Sequence, residues 1–240
     1  MFEIIPVIDL RQGEVVHARM GQRANYRPIS STLCKGSTPE AVVGGLLGLS
    51  AFPTLYAADL DAIEGTGDNE AVLRNLRRRF PALGLWVDAG FRDPGHCLDW
   101  LSRDIGDLVL GSETQADWKG LRRLAGSPQA HRIILSLDFA GDRFLGPAID
   151  PEPALWPARV IVMTLARVGS GEGPDLARLR QIMAKNPGHR LYAAGGVRDL
   201  GDLEGLSDAG AAGVLVASAL HDGRIGPEAL AHFASASANR

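Results

Sequence analysis

Residues 85–95, LWVDAGFRDPG, return in altered form 106 positions later as residues 191–201, LYAAGGVRDLG. Both stretches begin with leucine, carry glycine at the sixth place and Arg-Asp at the eighth and ninth, and end on glycine. The same offset places residues 107–112, DLVLGS, on residues 213–218, GVLVAS. Similarity repeated at one fixed offset indicates an internal duplication, so the chain is predicted to consist of two homologous halves.

The beginnings of the two halves match at a longer offset. Residues 4–9, IIPVID, correspond to residues 133–138, IILSLD, 129 positions later. The difference between the offsets predicts an insertion of roughly 23 residues in the first half, at approximately residues 13–37. The predicted halves are approximately residues 1–125 and 126–240.

Both halves contain short apolar runs separated by amphipathic segments. Eight runs are apolar on both faces, as in strands of a parallel sheet that is covered on both sides. They lie at residues 4–8, 54–58, 85–87, 108–110, 133–137, 160–163, 191–194 and 214–216. Helical spacing follows most of them, so the pattern predicts an α/β fold, a single (β/α)8 TIM barrel over residues 1–240.

The composition excludes several other classes of protein. With 45% hydrophobic residues the chain is not disordered, and its formal net charge of −3 argues against nucleic-acid binding. Two cysteines and six scattered histidines form neither a disulfide framework nor a ligand spacing, so no metal is predicted. The N-terminus has no signal-peptide pattern and no apolar run reaches ~18 residues, so we expect a cytoplasmic protein without membrane partners.

Two aspartates are the candidate catalytic residues. Asp9 ends the first run and Asp138 ends the fifth, and these strands are opposite each other in a barrel of eight. Active sites of such barrels lie at the carboxyl ends of the strands. Two carboxyl groups on opposite sides of a substrate are suited to general acid and general base catalysis, if one keeps a raised pKa. The alternative is that each aspartate only caps the following loop.

Small residues after the last two runs are typical of a phosphate-binding site, because backbone N–H groups at such turns bind phosphate. These residues are Gly195, Gly196, Ala217 and Ser218. The repeat predicts a second, opposite phosphate site at Gly90, Gly111 and Ser112. Asp88 and Glu113 add negative charge there, which opposes a phosphate dianion. The alternative is that the glycines serve tight turns only.

The insertion contains cations and glycines, which is typical of a mobile lid over an anionic ligand. A solvated basic loop would have the same composition. His17, Arg19 and Gly21 are the candidate substrate-binding residues in this region. Thr164 ends the sixth run and is a candidate to hydrogen-bond a substrate hydroxyl.

Together these motifs resemble the histidine-biosynthesis barrels, a family with a HisA isomerase branch and a HisF cyclase branch. The resemblance covers nearly the whole chain, and the HisA branch is nearer. It rests on IIPVIDLRQGEVV from residue 4, DLD at 59–61, SLD at 136–138, AAGGVRD at 193–199 and GVLVASALHDGRI at 213–225. It implies an isomerase that converts the aminoaldose of a bis-phosphorylated ribonucleotide to an aminoketose without a cofactor. In that reaction Asp9 resembles the base, Asp138 the acid and Thr164 the threonine that aligns the substrate.

The chain departs from the family pattern on one side of the predicted site. The family has Asp-Gly-Thr after the sixth strand where this chain has VGS at residues 168–170, which makes Ser170 a substrate-binding candidate. DAG at residues 88–90 replaces a glycine triplet, and His17 stands where an arginine is usual. These departures favour a HisA-like paralogue that acts on a smaller or differently substituted phosphorylated compound. Cofactor biosynthesis in one-carbon metabolism is one setting for such a paralogue.

Two alternative functions remain open at this point. One is a genuine but divergent isomerase of histidine biosynthesis, and the other is a catalytically silent barrel that binds a phosphorylated ligand. All three hypotheses predict a phosphorylated small molecule as the partner. The chain itself is expected to be a monomer or a small homo-oligomer.

Overall fold

A computed structural model describes residues 2–18, 21–147 and 155–238, and eight parallel strands close into a barrel there. The strands are β1 (Glu3–Arg11), β3 (Thr54–Asp59), β4 (Gly84–Asp88), β5 (Asp107–Gly111), β6 (Ile133–Ala140), β8 (Arg159–Thr164), β9 (Arg190–Ala194) and β10 (Gly213–Val216). Each strand pairs with the next, and β10 pairs with β1 to close the ring. The predicted TIM barrel and its eight strands are therefore confirmed. The two homologous halves and their boundaries stay predictions.

Helices follow the strands along the chain. They are α1 (Pro39–Leu49), α2 (Leu60–Glu64), α3 (Glu70–Arg79), α4 (Pro94–Ser102), α5 (Lys119–Ala125), α6 (Leu176–Lys185), α7 (Leu200–Asp208), α8 (Ser218–His221) and α9 (Pro227–Ala238). Proline in the first turn favours the start of α1 and α4, and aspartate caps begin α4, α6 and α7. None of the helices in the described ranges is long and apolar enough to cross a membrane.

Side chains alternate between two packed layers along each barrel strand. On β8, Val160 packs in the layer between the strands and the helices, whereas Ile161 packs inside the barrel. The inner layer holds Ile5, Tyr56, Trp86, Val109, Ile134, Ile161, Tyr192 and Leu215. Because these side chains fill the interior, the barrel is a core and not a pore. At the carboxyl ends of the strands, side chains that point to the same side as this inner layer face the barrel mouth.

Two short strands that the sequence analysis missed extend the sheet at the barrel mouth. β2 (Glu14–Val16) pairs antiparallel with β1, and β7 (Arg143–Leu145) pairs antiparallel with β6. In the first hairpin Gln12 and Gly13 form the two-residue turn, with φ of +50° and +81°, as such turns require. Runs of three residues are too short to give a periodic signal in the sequence.

The DLD motif and Asn69 fix this hairpin turn to the end of β3. Asp59 accepts hydrogen bonds from the Asn69 backbone at 2.6 Å and from its side chain at 2.7 Å. Asp61 accepts from Gln12 N at 2.6 Å, and Asn69 Oδ1 accepts from Gly13 N at 2.8 Å. Asp59, Asp61 and Asn69 are all buried. The motif therefore supports the backbone that leads out of β1.

The predicted insertion continues from β2 across the barrel mouth. We call residues 21–27 the strap; it contains a 3-10 turn at Arg23–Asn25. One end of the strap is tied to the chain beside β2, where His17 N donates to Arg27 O at 2.9 Å. Further along, Thr32 N donates to His221 O on α8 at 3.0 Å. The insertion is thus anchored on two sides of the mouth.

Candidate active site

A cavity of about 410 Å³ opens at the carboxyl ends of the barrel strands, next to the strap. It is polar on one side and lined by small residues on the other. Its lining includes Asp9, Gly21, Arg23, Tyr26, Tyr56, Asp88, Glu113, Asp138, Met163, Gly195, Gly196, Ala217, Ser218 and Arg224. The structure thus brings together both candidate catalytic aspartates and the first predicted phosphate site.

Asp9 and Asp138 face the cavity because, in the alternation of side chains along β1 and β6, theirs point to the inside of the barrel. Val7 precedes Asp9 on the cavity side of β1, and Ser136 precedes Asp138 on β6. Ser136 Oγ donates to Asp138 Oδ1 at 2.7 Å, and Glu113 N donates to Asp138 Oδ2 at 3.2 Å. These bonds hold the Asp138 carboxyl in one orientation at the cavity wall.

Burial gives both aspartates a pKa suited to proton transfer at neutral pH. Desolvation raises the pKa of Asp9 from 3.8 to about 7, against the opposing effect of the Arg23 charge. Desolvation likewise raises the pKa of Asp138 to about 7; the hydrogen bond from Ser136 opposes this, and the Asp88 charge adds to it. A carboxyl group with a pKa near the operating pH is an effective acid or base.

We expect Asp9→Asn to stabilise the protein above neutral pH. The folded-state pKa of about 7 lies above the ordinary 3.8. The contribution of Asp9 to stability is therefore complete below pH 4 and is lost as the pH rises through 7. Since Asp9 is partly exposed to the cavity, we expect a gain of about 1–2 kcal/mol at pH 8, fading towards pH 4. Urea unfolding across this range measures it.

Asp208→Asn is the control for this experiment. Asp208 is an exposed carboxylate at the end of α7 and does not line the cavity, so its replacement shows the general effect of removing one negative charge. A stability difference between Asp9→Asn and the parent protein that stayed constant from pH 4 to 8 would contradict the raised pKa.

The turn after β9 presents backbone to the cavity. Gly195 and Gly196 have φ of +101° and +89°, which favours glycine. A Cβ on Gly195 would lie 2.6 Å from Thr164 O, so close packing requires glycine as well. After the neighbouring strand β10, Ser218 Oγ lies 3.0 Å from His17 Nε2. The structure therefore gathers His17 and the first phosphate candidates at one end of the cavity, where phosphate binding stays a prediction.

At the predicted second phosphate site, the donors are bonded to the protein itself. Gly90 N donates to Asp88 Oδ1 at 3.1 Å. Ser112 is fully buried; its hydroxyl accepts from Asp138 N at 2.9 Å and donates to a β7 carbonyl at 2.7 Å. A Cβ on Gly111 would lie within 3.4 Å of carboxylate oxygens of both Asp88 and Asp138. Gly90 and Ser112 donate to the carboxyl groups of Asp88 and Asp138, and Gly90, Gly111 and Ser112 are not among the residues that line the cavity, so phosphate binding by these three stays a prediction.

Asp88 lines the cavity, whereas the sequence indicated it only as a negative charge opposing phosphate at the second site. It is held by Gly90 N and by Tyr56 OH, which lies 3.4 Å from Oδ2. Desolvation raises the pKa of Asp88 to about 6. Tyr56 was missed, although counting alternate residues along its strand places it inside the barrel. In the described part of the chain, no group of three or more His, Cys, Asp or Glu residues is arranged to hold a metal ion.

The structure does not support the role predicted for Thr164. Its side chain is buried on the helix side of β8, where Arg178 Nη1 lies 3.5 Å from Oγ1. Met163, one residue earlier on the strand, points to the inside of the barrel and lines the cavity instead. Ser170 does not line the cavity, and its hydroxyl donates to Arg167 O at 3.0 Å within its own loop. Val168, Gly169 and Gly171 line the cavity there.

The strap closes one side of the cavity through Arg23. Arg23 Nη2 lies 2.5 Å from Glu113 Oε1, and Arg23 O accepts from Arg11 Nη1 at 2.7 Å. Gly21 lines the cavity, and a Cβ on it would lie 3.7 Å from Leu165 Cβ; its predicted role in substrate binding stays a prediction. Arg19, also predicted to bind substrate, lies outside the described residues.

A closed barrel of eight parallel strands with a polar cavity at their carboxyl ends is the architecture of the TIM-barrel enzymes. Within that class, the sequence profile of the family described as "Histidine biosynthesis protein" matches residues 3–149 and 155–226. The chain belongs to this family, which confirms the resemblance drawn from its motifs.

Individual relatives are similar over nearly their whole length. An uncharacterized protein of Methanocaldococcus jannaschii is 29% identical, over 92% of this chain and 94% of the relative. The phosphoribosyl imidazole-4-carboxamide isomerase of Myxococcus xanthus is 28% identical, over 95% and 97%. Phosphoribosyl isomerase A of Streptomyces coelicolor is 26% identical, over 91% and 92%. The prediction of an enzyme of the aldose–ketose isomerase class is confirmed at the level of the family.

Proposed function

We propose that this chain is a HisA-like isomerase whose substrate carries a single phosphate group. The phosphate binds at Gly195, Gly196, Ala217 and Ser218. The reacting carbons lie between Asp9 and Asp138, which exchange protons with them and with the sugar oxygen. The observation that carries the proposal is that two donors of the second predicted phosphate site are already bonded within the protein: Gly90 N donates to Asp88 Oδ1, and the Ser112 hydroxyl donates to a β7 carbonyl.

Acid and base catalysis by this pair follows from the surroundings of the two carboxyl groups. An aldose–ketose isomerisation removes a proton from one carbon and supplies a proton to an oxygen. This requires one ionised and one protonated group in the same cavity. With a pKa of about 7 each, Asp9 and Asp138 supply both forms near neutral pH. This supports an active enzyme over the catalytically silent barrel.

The charge distribution of the cavity supports a single phosphate. The end near Gly195 is lined by small residues, and the cavity lining also includes Arg224, which is paired with Asp222 at 3.0 Å. The other end is lined by Asp88, Glu113 and Asp138. Because Glu113 is paired with Arg23, a second phosphate dianion at that end would meet the carboxyl groups of Asp88 and Asp138 and a Gly90 amide that is already bonded, and both effects weaken its binding.

Binding of sugar phosphates tests this arrangement. We expect sugar monophosphates to raise the unfolding temperature, since a ligand at about 100 times its Kd adds about 2.7 kcal/mol of stability. The corresponding bisphosphates should give a smaller shift, or none. A thermal-shift screen of pentose and aminopentose mono- and bisphosphates measures both.

Asp88→Ala is the matched variant for this screen. It removes one carboxyl group and releases the Gly90 amide, so we expect it to gain affinity for bisphosphates and to keep that for monophosphates. Equal stabilisation of the parent protein by mono- and bisphosphates would contradict the single-phosphate proposal.

A genuine isomerase of histidine biosynthesis is the second candidate, because relatives over the whole chain are named as that enzyme. The two candidates differ in a direct assay. Turnover of the bis-phosphorylated HisA substrate at an ordinary rate, or rescue of a HisA-deficient strain, would establish the second candidate. Cofactor biosynthesis in one-carbon metabolism stays a prediction for the paralogue, as do a cytoplasmic location and a monomeric or small homo-oligomeric state.

A further inference from the structure

His17, between β2 and the strap, does not face the cavity itself. Its neighbours Val16 and Ala18 belong to the layer inside the barrel, and Ala18 lines the cavity. Because side chains alternate along an extended segment, the His17 ring leaves the cavity side and reaches α8. There His17 Nε2 lies 3.0 Å from Ser218 Oγ, and Ser218 does line the cavity. Seen from the cavity, His17 is thus placed behind Ser218.

We propose that His17 is a positioning residue for the phosphate group: it donates its Nε2–H to Ser218 Oγ and so leaves the Ser218 hydroxyl proton for the ligand. This inference rests on the proposed function, which places the phosphate at Gly195, Gly196, Ala217 and Ser218. It gives His17 a role behind a binding residue and not a contact with the substrate.

The direction of the hydrogen bond between His17 and Ser218 decides what the serine can offer. A serine hydroxyl has a single proton, whereas a phosphate dianion only accepts hydrogen bonds. If Ser218 donated to the imidazole, its oxygen would face the phosphate with lone pairs alone. If the imidazole donates, the hydroxyl proton points to the phosphate, and the charge of the phosphate strengthens that bond. Phosphate binding therefore selects a form of His17 that carries a proton on Nε2.

The closed barrel brings the two residues together. Val16, directly before His17, pairs with Asp9 in the hairpin of β1 and β2. His17 N donates to Arg27 O at 2.9 Å, which fixes the backbone from the other side. Ser218 begins α8 after β10, and β10 pairs with β1. Residues 201 positions apart therefore meet only when the first and last strands of the barrel are joined.

A second histidine–serine contact between the insertion and α8 provides a matched control. Ser31 Oγ lies 3.0 Å from Nδ1 of His221, the same separation as in the first pair. The Thr32 hydroxyl also donates to His221 O at 2.9 Å. Neither Ser31 nor His221 lines the cavity. Both contacts fasten the insertion to α8, but only the one made by His17 ends on a residue that faces the ligand.

The experiment measures the affinity of the full chain for inorganic phosphate, at constant pH and ionic strength, from the rise in unfolding temperature with phosphate concentration. His17→Phe keeps a ring and removes both nitrogens, and we expect it to weaken phosphate binding about 5- to 20-fold. His17→Gln keeps an N–H donor near the position of Nε2 and should stay within about twofold of the parent protein. Ser31→Ala should lower the unfolding temperature without phosphate and leave the affinity unchanged.

A double-mutant cycle separates an effect through the serine from a direct contact. Ser218→Ala removes the hydroxyl, and we expect a similar loss of phosphate affinity, about 5- to 20-fold. Once the hydroxyl is gone, His17→Phe should cost nothing further, so the double variant should bind phosphate like Ser218→Ala alone. A direct contact between His17 and phosphate would make the two losses multiply.

Three results, with a parent protein that binds phosphate, would overturn this inference and leave the proposed function intact. They are an unchanged affinity in His17→Phe, losses that multiply in the double variant, and an equal loss in Ser31→Ala. If His17→Phe does not fold, His17→Leu replaces it under the same criteria. A parent protein that binds no phosphate would contradict the proposed function itself, and this inference with it.

Discussion

Replacing Asp138 with asparagine is expected to lower kcat by about 10²- to 10⁴-fold, the usual contribution of a general acid or base. Asparagine keeps the shape and one acceptor for the Ser136 hydroxyl, but it has no proton to deliver. Asp9→Asn should have an effect of the same order, because the base is then lost. Steady-state kinetics on the sugar phosphate identified by the thermal-shift screen measure both changes.

Asp59→Asn is the matched control for these variants. Asp59 is also a buried aspartate at the end of a barrel strand, but its carboxylate is bonded to Asn69 and does not line the cavity. We expect it to lose stability and to keep kcat within a few-fold. More than a tenth of the parent activity in Asp138→Asn would remove the assignment of the acid.

Gly196→Ala is expected to have the largest effect on both the fold and the phosphate site. A Cβ there would lie 2.2 Å from Gly173 O, and φ of +89° is unfavourable for alanine. Overpacking and backbone strain together predict a loss of about 2–4 kcal/mol in the free energy of unfolding. Because the turn must move to admit the methyl group, the thermal shift given by sugar monophosphates should disappear.

Gly188→Ala separates strain from close packing. Gly188 has a comparable φ of +102°, but nothing lies within 4 Å of the position of its Cβ. We expect a loss of about 1–2 kcal/mol from backbone strain alone, with ligand binding retained. If Gly196→Ala cost no more than Gly188→Ala and still bound monophosphates, the tight turn would not form the phosphate site.

The barrel was predictable because strands of a covered parallel sheet are apolar on both faces, and this signal is local. Asp9 and Asp138 were predictable for the same reason, since each directly follows such a run. The substrate-binding role of Thr164 stays a prediction, although its side chain does not line the cavity. It was chosen because it ends the sixth run, whereas counting two residues from Ile161, which lies inside the barrel, leads to Met163.

The state of the second phosphate site was not predictable from the sequence. Glycine and serine at Gly90 and Ser112 are the residues that a phosphate turn needs, and they are equally the residues that bond a neighbouring carboxylate. Which partner they take depends on the side chain of Asp88 and on the end of β6, which meet them only in the folded barrel. The Arg23–Glu113 ion pair likewise joins residues 90 positions apart, for which no local pattern exists.

The buried carboxyl groups also change the electrical behaviour of the whole molecule. The sequence pI of about 6.1 counts every aspartate as an ordinary acid. Near that pH, Asp9 and Asp138 retain their protons in the folded protein and lose them on unfolding, which outweighs the opposite change at the buried His221. Folding therefore takes up protons from the solution. In isoelectric focusing, the native protein should therefore have a higher isoelectric point than the same chain unfolded in urea. In calorimetry, its heat of unfolding near pH 6 should vary with the ionisation enthalpy of the buffer.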